Sequence, residues 1–352
     1  MPLSPITQKR FRRFRSIHRG WWSLLILAVI IAASLAAELW ISNRALYVSH
    51  QGKTHFPSYG AIIPGSTFGE PYEYETNYRD LRDSFARSGN GTVILPLIPW
   101  SPGESDFREG ITHPSPPDWS RRHLLGTDPT GRDVFARMVY GFRNVIIFSI
   151  AYTALTFLVG ILIGCTMGYF GGKTDLIGLR LIEIWETIPF LYMVMISISL
   201  IPAETGTAWR IACLLIIMVL FDFTSKAMQM RAVTLREKSR DYVAAARLIG
   251  ASTPRMIFSH ILPNTISVLV TYLPFSIAAG ISSLTVLDFL NFGLPKPTPS
   301  WGELLEIGLD HKESWWIVTS AFGALVGVLL LVTFIGEAIR EAFDPRRHTV
   351  YR

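Results

Sequence analysis

Long runs free of charge alternate along this chain with segments dense in charge, proline and glycine. About 20 apolar residues carry a helix across the hydrocarbon core of a bilayer. Six runs approach that length: Trp21 to Ile41, Val145 to Met167, Ile182 to Ile201, Ile211 to Met228, Ile266 to Phe289 and Trp315 to Ile335. The pattern predicts an all-α polytopic membrane protein with six transmembrane helices. The first run, with its basic flank and Ser34-Leu35-Ala36, has the outline of a secretory signal. From Trp21 to Trp40 it exceeds the roughly 7 to 15 apolar residues of a signal core, and it is expected to remain as an anchor.

The polar segments set the orientation. Lys9, Arg10, Arg12, Arg13, Arg15 and Arg19 precede the first run with no acid among them, and residues 225–264 carry seven Lys or Arg against Glu237 and Asp241. Short basic flanks stay in the cytoplasm. From the end of the fifth run onward, Asp288, Glu303, Glu306, Asp310 and Glu313 face only Lys296 and Lys312, as expected outside. The expected organisation is a cytoplasmic N-terminus (1–20), a first span (21–41), a periplasmic segment (42–144), a five-helix core (145–335) with a cytoplasmic loop (229–264), and a cytoplasmic C-terminus (336–352). Residues 42–144 hold too many turn residues for long helices and enough aromatics for a small packed lid. Loops this long are usually functional, so docking of an external partner is expected over a passive spacer.

Composition agrees with the pattern. Of 352 residues 49% are hydrophobic and 17% charged, against about 25% charged in soluble domains, and the mean hydropathy is +0.32. The net charge of +6 lies beside apolar runs and forms no groove interleaved with aromatics, so nucleic acid is not expected as a partner. Cys165 and Cys213 fall inside apolar runs and form no disulfide framework.

Candidate chemistry is sparse. Gly160, Gly164 and Gly168 recur every fourth residue, a face that lets two helices approach closely. GYFGGKT invites comparison with a phosphate loop, but G-x-x-x-x-G-K-[ST] needs glycine where Met167 stands and a strand where an apolar span precedes it. Gly171-Gly172 therefore reads as a turn. Ionisable groups at membrane depth pair with each other or line a pathway. Glu183 has Arg180 three residues away and Asp222 has Lys226 four away; Glu186 has no evident partner and is the foremost candidate for the pathway. The histidines form no metal-ligand spacing, and no nucleophile–base arrangement appears, so neither a metal site nor a catalytic residue is expected.

The stretch DYVAAARLIGASTPRMIFSHILPN, residues 241–264, looks soluble although it lies between two spans. Helix formers run from about Met230 to Ile249, Gly250 suits a left-handed stop, and Thr253-Pro254 supply a cap and a first-turn proline for a second short helix ending before Pro263. Ala244-Ala245-Ala246 offers a face without bulk, flanked by Asp241 and Arg247, onto which another protein can close.

With Ala245, Ala246, Gly250 and Ile261-Leu262-Pro263-Asn264 in place, this stretch resembles the E-A-A loop of permease subunits of bacterial ATP-binding-cassette importers. Ala244 stands where the name-giving glutamate would be, a departure common in the peptide-importer branch. LGTDPTGRDVFARMVYG, GYFGGKTD, TVLDFLNFGLPKPTPSWGELL and GEAIREAFDPR extend the resemblance over most of the chain from about residue 123, to the dipeptide/oligopeptide permease class, second-subunit type. The external FPSYG and TFGEP segments are similar, more narrowly, to the E-type permeases of Yej importers, which take up peptides and the peptide-nucleotide antibiotic microcin C.

The resemblance implies a type I importer permease in the bacterial inner membrane. It implies a homologous second permease, ATPase subunits that bind ATP and magnesium, and a periplasmic peptide-binding protein, with membrane lipid around the spans and no cofactor in this chain. Ala244, Ala245, Ala246, Arg247, Gly250 and Ala251 would couple to the ATPase. A rival expectation is a stand-alone secondary transporter or channel relaying ions through Glu186 and Asp222, which would show inverted repeats and broken helices. A membrane-anchored binding protein is a third, and it leaves the loop at Gly250 without purpose.

Overall fold

The computed structural model describes residues 5–108, 110, 112–202 and 204–343. The end of the expected C-terminal segment, from residue 344, lies outside the described residues. Among these residues five helices are long and apolar enough to cross a membrane, or six when a bent pair counts as one span. The chain divides into two compact units. One comprises residues 1–27, 145–295 and 326–352, the other residues 28–144 and 296–325.

Helix α1 (Pro5–Ser16) is polar and basic, and only Ile17 separates it from the apolar α2 (His18–Leu35). The first span was expected to reach Ile41. Instead the chain leaves the helix at Leu35, because the backbone around Ile41 is taken up by tertiary pairing: Ser42 N–H donates to Ile98 C=O at 3.1 Å and Ile98 N–H to Trp40 C=O at 2.9 Å. Ile41, Ile98 and Trp100 are buried together with Ala136.

Within residues 28–144 and 296–325, strands β1 (Tyr47–His50) and β2 (Lys53–His55) form a hairpin whose two-residue turn, Gln51-Gly52, has positive φ at both positions (48° and 77°). Such turns match the right-handed twist of the paired strands. Helix α3 (Tyr78–Ser88) starts where the Asn77 side chain accepts the N–H groups of Arg79 and Asp80, and stops at Gly89 with φ 69°. Strand β3 (Gly91–Ile94) completes a three-stranded antiparallel sheet of order β2-β1-β3. Val48, Phe68, Tyr78, Leu81 and Phe85 fill the space between sheet and helix. The membrane-span candidates are built of helices; this insertion adds the sheet that an all-α pattern leaves out.

Helix α4 (Val134–Phe170) has 37 residues, about 55 Å at 1.5 Å per residue, against about 30 Å of hydrocarbon. It begins eleven residues before the expected Val145, because Asp133 accepts the Ala136 N–H at 2.6 Å and supplies a cap that apolar content cannot reveal. Next come α5 (Gly172–Glu186) and α6 (Phe190–Ser199), expected as one span over 182–201 but bent by 74° at the break. Pro189 lacks an N–H and pushes the residue before it out of the helical region, which separates the two segments. Helix α7 (Thr207–Lys238), α8 (Asp241–Leu248), the short turn α9 (Thr253–Arg255) and α10 (Leu262–Phe289) follow, then α11 (Trp301–Asp310) and α12 (Trp315–Phe343). The Ser300 hydroxyl caps α11 by accepting the Glu303 N–H at 3.1 Å.

Gly160, Gly164 and Gly168 lie along the line where α4 meets α7. A Cβ on Gly164 would come within 2.2 Å of the Ala227 carbonyl, and one on Gly160 within 2.5 Å of the Lys226 Cβ. A Cβ on Gly168 would meet both Arg231 and Thr234 at 2.8 Å. Glycine is the residue that admits this approach of two backbones.

Candidate coupling surface and buried polar groups

α7 runs to Lys238, past the expected loop start, and α8 occupies only eight residues after a break at Ser239 and Arg240. At the break Glu237 is buried, accepts the Tyr242 hydroxyl at 3.2 Å, and has the Arg236 and Arg240 guanidinium groups within 4 Å. α8 ends in a double backbone closure. Gly250 N–H donates to Arg247 C=O at 3.0 Å, and Ala251 N–H donates to Ala246 C=O at 3.1 Å. This is the Schellman pattern, which requires a left-handed residue, and Gly250 has φ +82°. Beyond it the second helix does not stop before Pro263. Ser252, not Thr253, holds the cap position, and the chain passes through a π-helical turn, Met256–Ile261, directly into α10. Pro263, which has no N–H to donate, follows directly on this turn, and the helix continues past it.

The three alanines do not share a face. Ala246 is 5% exposed and packs with Val243, Met256 and Ile261, with Ala251 against them. Ala244 and Ala245 face outward, and the chain continues into Leu248 and Ile249, 89% and 84% exposed. The expectation that Ala246 faces a partner is corrected: it belongs to the core that holds α8 in place. Arg247 is exposed, with its guanidinium carbon 5.9 Å from the Tyr169 ring, and Asp241 is exposed in the first turn of α8. Leu248 and Ile249, which the sequence reading passed over, are the largest apolar groups on the outward side. Their signal was a pair of bulky residues just before a glycine stop.

Of the acids in the spans, Glu183 accepts from Arg180 at 2.6 Å, as the spacing predicts. Asp222 does not pair with Lys226. The Tyr152 hydroxyl of α4 donates to Asp222 at 2.5 Å, while the Lys226 ammonium lies 5.5 Å from the Phe157 ring centre. A partner 70 positions away leaves no mark on local spacing. Glu186 is exposed at the end of α5, just before the bend. Asp175 and Arg231 form a two-bond pair joining α5 to α7, one bond being Nη2 to Oδ2 at 2.7 Å; sequence alone counted Arg231 among the basic residues of 225–264 and gave Asp175 no role. Gly171 and Gly172, with φ 65° and 52°, turn the chain between α4 and α5. GYFGGKT thus links two helices.

Two further polar clusters lie within residues 28–144 and 296–325, and neither was anticipated. The His123 ring is 1% exposed, with Nδ1 2.7 Å from Asp133 and Nε2 3.3 Å from Asp106. It stacks at 4.4 Å on Trp100, whose ring also lies beneath the Arg79 guanidinium at 4.0 Å. Burial raises the Asp106 carboxyl, but hydrogen bonds from the Arg108 side chain and backbone and from His123 outweigh it and hold the group well below the usual carboxylate range. At Asp133 burial prevails over bonds from His123 and the Ala136 backbone and pushes the carboxyl up. In the second cluster Arg137, fully buried near the start of α4, pairs with Glu303 of α11, while Arg132 binds Asp128 at 2.7 Å. These residues belong to the GTDPTGRDVFAR and SWGELL segments, whose shared role is to bring α4 and α11 together.

The model of the family described as binding-protein-dependent transport system inner membrane component matches residues 160–349. That stretch begins at the glycine face and includes the whole loop around Gly250. The inner membrane ABC transporter permease protein YejE of Escherichia coli (strain K12) is 38% identical over 345 residues, covering 98% of both chains. The peptidoglycan transport system permease protein YejE of Agrobacterium fabrum is 34% identical over 368 residues, covering 98% of this chain and 94% of its own. The di/tripeptide transport system permease protein DppC of Pseudomonas aeruginosa is 30% identical over 256 residues, covering 71% of this chain and 81% of its own. The apolar helices, the glycine-lined contact of α4 with α7, the capped loop at Gly250 and these relatives lead to one conclusion: the chain belongs to the binding-protein-dependent transport system inner membrane component family, as a multi-pass permease subunit of an ABC importer.

Proposed function

We propose that this permease moves peptides, or peptide conjugates of the microcin C kind, from periplasm to cytoplasm by alternating access. It pairs with a homologous second permease, receives cargo from a periplasmic peptide-binding protein, and is driven by ATPase subunits that hold the ATP and magnesium. Both termini lie in the cytoplasm, and residues 42–144 face the periplasm. The chain carries no nucleotide site or cofactor of its own.

The observation that carries this reading is the construction of α8. Its outward side presents Ala244 and Ala245 beside the bulkier Leu248 and Ile249, with Asp241 and Arg247 exposed among them, while Val243 and Ala246 anchor it to Met256 and Ile261. Such a surface transmits a push without deforming, because a packed core moves as a body. Differential contacts of ATP-bound and ATP-free ATPases with this surface would bias the two access states. Of the two acids in the rival ion relay, Asp222 is held by the Tyr152 hydroxyl while Glu186 stays exposed beside the bend after α5; membership of the importer family is what disfavours a stand-alone secondary transporter.

Affinity purification of the tagged chain from mild detergent tests the proposal. Recovery of an ATPase, a second permease and, on adding peptide, a binding protein is the expected result. A chain that purifies alone and supports peptide uptake in proteoliposomes without ATP would overturn it, as would saturable nucleotide binding by the isolated subunit.

A further inference from the structure

Helix α1 is an element that transport does not explain. Its twelve residues, PITQKRFRRFRS, carry five basic side chains and no acid. Lys9 and Arg12, and Arg12 and Arg15, stand three apart, where like charges destabilise a helix. Counter-charge must therefore come from outside α1. One face is already occupied: the Arg10 guanidinium lies 4.6 Å from the centre of the Phe343 ring, and Phe14 is 8% exposed, edge-on to Trp21. At the start of α2, Arg19 pairs with Glu337 at 3.2 Å, and a Cβ on Gly20 would come within 2.1 Å of the Ala338 Cβ. The inner face is thus fastened to the end of α12.

The opposite face is exposed, although the Phe11 ring is edge-on to Trp21 at 6.2 Å and the Arg15 guanidinium lies 5.5 Å from the same ring. At 100° per residue Phe11, Arg12 and Arg15 fall on one side of the helix, and all three are exposed, Phe11 by 53%. Lys9 is exposed beside them, and Trp22, 60% exposed, follows at the start of the apolar α2. Ile17 alone separates α1 from α2, so α1 cannot leave the border of the bilayer.

We propose that this outer face of α1 is a seat for anionic phospholipid, with Phe11 in the acyl boundary and Lys9, Arg12 and Arg15 on the headgroup phosphates. Charge of a single sign, guanidinium forks that match phosphate oxygens, and an exposed aromatic among them are what an anionic membrane surface recognises. Because the inner face grips α12, lipid that holds α1 also holds α2 against α12. The inference is independent of the cargo and of the ATPase.

Hydrogen–deuterium exchange of residues 5–16 in the full chain tests it, in nanodiscs of phosphatidylcholine with and without phosphatidylglycerol. Protection should rise roughly tenfold with the anionic lipid, fall in high salt, and lose its lipid dependence in the combined variant Lys9→Gln/Arg12→Gln/Arg15→Gln. Soluble glycerol phosphate added to phosphatidylcholine discs should give no protection. Phe11→Ser should weaken protection while keeping its dependence on anionic lipid. Equal protection in both lipid compositions, or protection that appears only when an ATPase is added, would overturn the proposal.

Discussion

The Tyr152 hydroxyl and the Asp222 carboxylate, 2.5 Å apart, join α4 to α7 at membrane depth. Tyr152→Phe strips the carboxylate of its donor and should destabilise the protein by about 1–3 kcal/mol. Asp222→Asn keeps an acceptor for the hydroxyl, and should retain more stability together with near-normal uptake. Thermal melting in detergent and uptake in proteoliposomes check the pair. Loss of uptake in Asp222→Asn at unchanged stability would mean that the charge itself serves transport.

The division of labour among the three alanines predicts opposite phenotypes for neighbouring substitutions. Ala245→Trp should leave the loop resistant to protease and reduce the ATPase recovered with the permease. Ala246→Trp overfills the cluster of Val243, Met256 and Ile261, should cost about 1–3 kcal/mol, and should expose the loop to protease as well. Gly250→Val strains a residue held at φ +82° by about 1–3 kcal/mol and should resemble Ala246→Trp. Limited proteolysis with quantification of copurified ATPase separates the outcomes.

Gly164 and Gly323 make a matched test of helix approach. A Cβ at Gly164 would meet the Ala227 carbonyl at 2.2 Å, whereas nothing lies within 4 Å of one at Gly323. Gly164→Ala should lower stability by at least about 1–3 kcal/mol. Gly323→Ala, freed from the helix cost of glycine, should be neutral or stabilising by up to about 1 kcal/mol. Melting of the purified chain in detergent reads both.

Acid should weaken the unit containing Asp106 through that residue. Its folded carboxyl titrates below the unfolded one, so its contribution is present above the unfolded value of about 4 and is lost as pH falls through the folded value. Asp133 shifts upward, so its effect has the opposite sign and is regained in acid. Asp106→Asn should therefore flatten the loss of stability below about pH 4, at the expense of stability at neutral pH. Trp100 stacks on His123, so tryptophan fluorescence during acid titration reports the change.

The pairing of Ile41 with Ile98 brings two points of the chain together, so replacing residues 45–95 by a short Gly/Ser linker keeps Trp100 stacked on His123, although it removes Arg79 from the Trp100 ring. A deletion of 42–122 would remove Trp100 from His123 and confound the result. The smaller replacement should leave assembly with the ATPases intact and reduce peptide uptake at least tenfold if this segment docks an external partner. Unchanged uptake would make the segment a spacer.

What the sequence determined by itself is whatever depends on near neighbours and on solvent. Apolar length located the spans, because crossing a bilayer is a property of each segment. Gly250 announced its left-handed turn, since few other residues adopt positive φ cheaply. The pairing of Arg180 with Glu183 followed from their spacing on one helix face. The resemblance around Ala245, Gly250 and Asn264 placed the chain in its family. Tertiary structure decided the matters in which distant segments compete for the same group. Tyr152 rather than Lys226 holds Asp222; Ala246 turns inward because Met256 and Ile261 are there to receive it; and α2 ends at Leu35 because Ile98 claims the following backbone. The partnership of Arg137 with Glu303, 166 positions apart, belongs to the same class. Side chains within one helix meet at spacings fixed by its geometry, whereas those brought together by folding meet at separations no local pattern encodes.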